Sequence, residues 1–97
     1  MMITITPEII GYIAATLTTG SFLPQAIMTL RTRDTGSLSL SMYSAFTLGV
    51  LLWLIYGIHL ADKAIIYANA ITLVLSSTIL FIKIYNTISK RSHGIEE

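Results

Sequence analysis

Trp53 and Asn69 stand sixteen residues apart, on either side of a short polar break at Asp62-Lys63. If the segments flanking the break are antiparallel helices, positions equidistant from the turn share a depth. The indole and the carboxamide then lie level with each other, about 10–12 Å from the nearer end. An indole offers a flat apolar wall, and a primary amide both donates and accepts hydrogen bonds. Such a pair suits a neutral polyol, a sugar above all, whose C–H face packs on the ring while its hydroxyls reach the amide. Each residue also has a plainer use. Asn69 could join two helices through a hydrogen bond of about 1 kcal/mol, and Trp53 could sit in an interfacial aromatic belt, although its depth exceeds that of most belt residues.

Pro24-Gln25 is the second chemically unusual pair. Proline lacks the N–H that the Gly20 carbonyl would accept, so a helix through this point is weakened there and kinks or hinges. The neighbouring amide needs partners in an apolar setting, and a moving segment exchanges them. The static alternative has the freed carbonyl satisfied by Thr18, Thr19 or Ser21. Tyr56 lies one turn from Trp53 on the same face, placed to close a pocket or to anchor at the headgroups. His59, Asp62 and Lys63 cluster at the turn, as a surface ion pair or as a gate latch.

The remaining polar positions read as structural. Hydroxyls at Thr16, Thr18, Thr47, Thr72 and Ser76 can bond their own backbone. Gly11 with Ala15, and Ala45 with Gly49, have the spacing that lets helix backbones approach closely. No cysteine is present, and His59 and His93 fall at opposite ends of the predicted helices. Neither a catalytic triad nor a metal site is expected, and no cofactor; Arg31-Thr32-Arg33-Asp34-Thr35-Gly36 lacks the strand, spacing and lysine of a phosphate loop. The residues do not describe an enzyme.

The elements that must position these residues follow from where charge is missing. Only 11% of the 97 residues are charged and 54% are hydrophobic, against roughly 25% charged in soluble domains. Charges cluster so that 9–30, 35–61 and 64–82 are uncharged, and each span is long enough to cross a bilayer at about 20 residues per crossing. The middle span opens with a Ser- and Thr-rich run, so its apolar part begins near Met42. An all-α membrane protein is predicted, one domain over 1–97 with helices at about 7–30, 40–60 and 63–85 and a tail over 86–97. Thr6-Pro7-Glu8 and Asp62 supply helix starts. The first residues contain no Lys or Arg, so the first span is expected to be retained and not cleaved as a signal.

Lys63 alone falls on one side of the three spans, against Arg31, Arg33, Lys83, Lys90 and Arg91 on the other. The positive-inside rule then puts the N-terminus outside and the C-terminus in the cytoplasm. A net charge of +1 offers no basic field for nucleic acid. Three helices cannot enclose a solute-sized path unaided. A second parallel copy, related by an axis along the membrane normal, would supply the missing walls.

With Ser21-Phe22-Leu23-Pro24-Gln25, Thr35-Gly36-Ser37-Leu38-Ser39, Trp53-Leu54-Ile55-Tyr56-Gly57 and Ala68-Asn69 in hand, the chain resembles the bacterial SemiSWEET transporters of the PQ-loop superfamily over nearly its whole length, roughly residues 8 to 85. The resemblance implies a parallel homodimer of three-helix bundles packed in the order 1-3-2, working by facilitated diffusion without ion coupling, with a mono- or disaccharide of the glucose or sucrose class bound between protomers at Trp53 and Asn69. It implies alternating access with Pro24 and Gln25 at the hinge, in the bacterial plasma membrane. An outer latch of tyrosine, basic residue and aspartate is also implied; Tyr56 and Asp62 match it, Leu60 stands at the basic position, and His59 or Lys63 is adjacent. Ala26 replaces a second proline found in some relatives. Two other readings remain: a PQ-loop carrier of an amino acid or small organic acid, against which stands the lack of a mid-membrane carboxylate, and a non-transporting membrane adaptor.

Overall fold

The computed structural model describes residues 6–92, with side chains as far as Lys90. The expectations for residues 1–5, for the Arg91 side chain and for His93 fall outside the described residues. Three helices make up the fold: α1 (Pro7–Thr32), α2 (Leu40–Leu60) and α3 (Lys63–Ser92).

Local chemistry sets their ends. Thr6 is extended and its hydroxyl accepts from the Ile9 amide at 3.2 Å, with Pro7 in the first turn, where its missing N–H costs nothing. α1 ends at Arg33, whose backbone is left-handed at φ 59° and whose N–H returns to the Thr29 carbonyl at 2.8 Å. Ser39 caps α2 through the Met42 amide at 3.3 Å. At the other end Ala61 takes φ 56°, and the Asp62 amide reaches back to the Gly57 carbonyl at 3.0 Å. Asp62 then opens α3 by accepting from the Ile65 amide at 3.1 Å, so two residues reverse the chain. α3 continues to Ser92, through the stretch expected as tail; no Gly or Pro interrupts 86–92.

α3 is the central helix, packed on both α1 and α2, whose backbones stay apart from each other. Glycine fixes the α2–α3 register: a Cβ on Gly57 would fall 2.6 Å from Ile65 Cγ2, so no other residue fits without separating the hairpin. α1 runs parallel to α3. A Cβ on Gly11 would lie 3.5 Å from Ala64 Cβ, the Thr16 and Tyr67 hydroxyls are 2.6 Å apart, and Tyr12 stacks on Tyr67 with ring centroids 6.2 Å apart. At the far end the loop after α1 is bonded to α3. Asn86 Nδ2 donates to the Arg33 carbonyl and to Thr35 Oγ1, both at 3.0 Å, and Lys83 Nζ donates to the Thr35 carbonyl at 3.0 Å.

The bundle is 26 Å wide and only 16 Å deep. α1 and α2 each pack on α3 and not on each other, so the three enclose little. Among the described residues the buried apolar set is small, with Val50, Ile79 and Ile82 its largest members, while Leu17, Met42, Val74 and Phe81 are more than 60% exposed. α2 and the Lys63–Lys90 part of α3 are long and apolar enough to cross a bilayer. The 26-residue α1 has the length; its Thr16, Thr18, Thr19, Ser21 and Gln25 dilute its apolar character.

Candidate functional site

The Gly57–Ile65 contact determines what faces what deeper in the hairpin. One turn down α2 from Gly57 is Trp53, and one turn along α3 from Ile65 is Asn69, so antiparallel packing sets them opposite each other. Both line the same two open hollows. The first, of about 500 Å³, is walled by Thr18 and Phe22 of α1, Phe46, Gly49 and Trp53 of α2, and Asn69 of α3. The second, of about 640 Å³, extends toward the turn and adds Gly11, Ala14, Ala68 and Asp62. Both volumes fall within the range of small-molecule sites.

Trp53 is 55% exposed and meets Tyr56 edge-on, with centroids 5.6 Å apart at 81°. This contact engages one part of the indole, and the rest borders the two hollows. Asn69 is half-buried, and its Nδ2 donates to the Ile65 carbonyl of its own helix at 2.9 Å. No interhelical bond is made by this amide, so it does not join α3 to a neighbour. Its second N–H and its Oδ1 carry no hydrogen bond among the described residues, an arrangement ready for a ligand hydroxyl that gives and takes a proton.

Below the pair, Phe22 and Phe46 approach across α1 and α2 with centroids 6.0 Å apart, and Tyr43 lies against Phe46 at 5.6 Å. The two phenylalanines floor the first hollow. A Cβ on Gly49 would meet nothing within 4 Å, and Ala45 is exposed. This small-residue pair marks no close helix contact within the chain, contrary to the expectation from its spacing. Gly49 instead leaves room beside the indole, which stands one turn away. Sequence reasoning had set aside Thr18 as structural and had not singled out Phe46 as a site residue. The signal was present: 46, 49 and 53 share a helical face, as do 18 and 22.

Pro24 and Gln25 lie inside α1, away from the Trp53–Asn69 hollows, and border a separate depression with Thr29, Ser37 and Leu38. None of the three hydroxyls available to the Gly20 carbonyl is bonded to it. Thr18 donates to the Ala15 carbonyl at 3.3 Å, Ser21 donates to the Leu17 carbonyl at 2.7 Å, and Thr19 makes no such bond. At the turn, Asp62 reaches the upper hollow while capping α3. His59 and Lys63 are exposed and form no ion pair with it among the described residues.

A family model described as the PQ loop repeat matches residues 6–64. The chain is 49% identical over 77 residues to a Leptospira biflexa protein named sugar transporter SemiSWEET, covering 79% of this chain and 91% of that one. It is 45% identical over 76 residues to an Escherichia coli protein of the same name, covering 78% and 85% respectively. A crystal structure of SemiSWEET in the inward-open conformation superposes with a TM-score of 0.86 at 40% identity, over 90% of this chain and 94% of that one. The curated relatives are transporters and not enzymes, and the apolar helices are those of an integral membrane protein. The chain belongs to the PQ-loop family, among its SemiSWEET members.

Proposed function

We propose that the protein is a sugar transporter in which Trp53 and Asn69 hold a mono- or disaccharide during facilitated diffusion. The observation that carries this reading is the shared hollow: an exposed indole opposite an amide with unspent hydrogen-bonding capacity, on different helices. The relatives named as sugar transporters support the substrate class.

The working unit is a parallel homodimer in the bilayer. The hollows are open in the single chain, and a second copy facing it closes them into one chamber lined by two Trp53–Asn69 pairs. Alternating access uses α1, where Pro24 lacks the N–H that the Gly20 carbonyl would accept, which makes Pro24-Gln25 a hinge. Tyr56 and Asp62, with His59 as the nearby basic group, form the outer gate. The orientation is N-terminus outside and C-terminus cytoplasmic in a bacterial plasma membrane, in keeping with the skew of basic residues.

Uptake of radiolabelled glucose and sucrose into proteoliposomes tests the reading. Trp53→Ala and Asn69→Ala are each expected to abolish uptake while the dimer persists on size-exclusion chromatography; unchanged uptake in both rejects the site. Asp62 at the rim of the upper hollow favours a second reading, a proton-linked carrier of a small acid. A flux driven by a pH gradient, absent with sugars, would select it.

A further inference from the structure

A hollow of about 390 Å³ lies at the opposite end of the bundle, between the loop after α1 and the last turns of α3. Among the described residues it is lined by the cations Arg33 and Lys83, with Lys90 at its border, and by one acid, Asp34. Asp34 already accepts from the Gly36 amide through Oδ1 at 3.0 Å. Lys83 is half-buried, donates to the Thr35 carbonyl at 3.0 Å, and has no carboxylate partner among the described residues. A neutral carbonyl satisfies one of its N–H groups and leaves the charge uncompensated, and partial burial makes an uncompensated charge costly.

The surroundings fix what kind of anion fits. The uncharged run of α3, 64–82, ends at Lys83, which sets the hollow at the level of the lipid headgroups. Basic hollows between membrane helices at that level take phosphate headgroups. Arg33 leaves the helix from a backbone held by its bond to Thr29, and its guanidinium is a planar fork that matches two phosphate oxygens. Its side chain makes no hydrogen bond among the described residues. The hydroxyls of Thr87 and Ser89 complete a polar wall.

We propose that this hollow binds the phosphate of an anionic phospholipid, with Arg33 and Lys83 as its principal ligands. The site is separate from the Trp53–Asn69 hollows and holds in whichever leaflet the loop lies, because only its depth enters. Bound lipid bridges the loop to α3 beside the Asn86 and Lys83 hydrogen bonds.

Thermal unfolding of the purified full chain in detergent, with added phosphatidylglycerol, phosphatidylcholine or inorganic phosphate, tests the site. Phosphatidylglycerol is expected to raise the midpoint saturably, with phosphatidylcholine inert and inorganic phosphate effective only at far higher concentration. Arg33→Gln is expected to weaken the phosphatidylglycerol response about tenfold, the loss of one charge-assisted contact, with the midpoint in phosphatidylcholine unchanged. Arg33→Lys keeps most of the response. Equal stabilisation by both lipids, or an Arg33→Gln response equal to that of the parent, overturns the proposal. Equal potency of inorganic phosphate and phosphatidylglycerol overturns the lipid as the source and leaves a soluble phosphate in its place.

Discussion

α3 carries two half-buried asparagines toward its opposite ends, Asn69 and Asn86, and their amides are used differently. Asn86 Nδ2 gives hydrogen bonds to the Arg33 carbonyl and to Thr35 Oγ1, so its donors go to holding the loop. Thr35, the residue so held, is 1% exposed. Asn69 returns a single hydrogen bond to its own helix and keeps the rest of its amide in a hollow opposite an indole. The same side chain on the same helix is mortar at one end and a free contact at the other. Residue type in a membrane helix therefore says little until the partners left unsatisfied around it are known.

Substitutions test this contrast, and the change at Gly57 is the most severe. Gly57→Val drives a branched side chain into Ile65, where even a Cβ would stand at 2.6 Å. The hairpin that sets Trp53 opposite Asn69 opens, with a loss of about 3 kcal/mol or more, read as a collapse of the unfolding midpoint together with uptake. Next comes the pair itself. Asn86→Ala strands the loop acceptors and is expected to lower stability by about 1–3 kcal/mol. Asn69→Ala removes a bond to a carbonyl already inside a helix and changes stability by no more than about 0.5 kcal/mol. Thermal unfolding of both, run beside uptake, should show stability lost in the first and uptake lost in the second.

Ala61 bears on the turn between the two sides of the site. Its φ of 56° is a conformation glycine adopts without strain, so Ala61→Gly is expected to raise stability by about 0.5–1 kcal/mol with uptake unchanged. Gly49→Val has the smallest effect on stability, because nothing lies within 4 Å of the new Cβ. It narrows the hollow beside the indole, and uptake of a disaccharide should fall before that of a monosaccharide in paired transport assays.

Much of this was legible because charge and turns speak locally. Asp62 as the start of α3 and Thr6 as the start of α1 follow from residue type alone, and the level placement of Trp53 and Asn69 follows from counting back to the turn. The order of the helices did not come from the residues themselves, since three apolar spans carry no label for which is central; the family resemblance supplied it. The Asn86–Lys83 anchorage was hidden because it needs α1 to run parallel to α3 in a fixed register, which only the Gly11–Ala64 and Thr16–Tyr67 contacts reveal. Gly49 was misread for a related reason. Small-residue spacing shows where a backbone can be approached, and a hollow uses that permission as readily as a helix does.

Trp53 is the chain's only tryptophan, beside five tyrosines, so emission excited selectively at the indole reports on the site. Titrating the purified dimer with glucose and sucrose should give a saturable change in Trp53 emission that disappears in Asn69→Ala and persists in Asn86→Ala. Emission that ignores every sugar, or a response equally strong without the Asn69 amide, would contradict sugar binding between these two side chains.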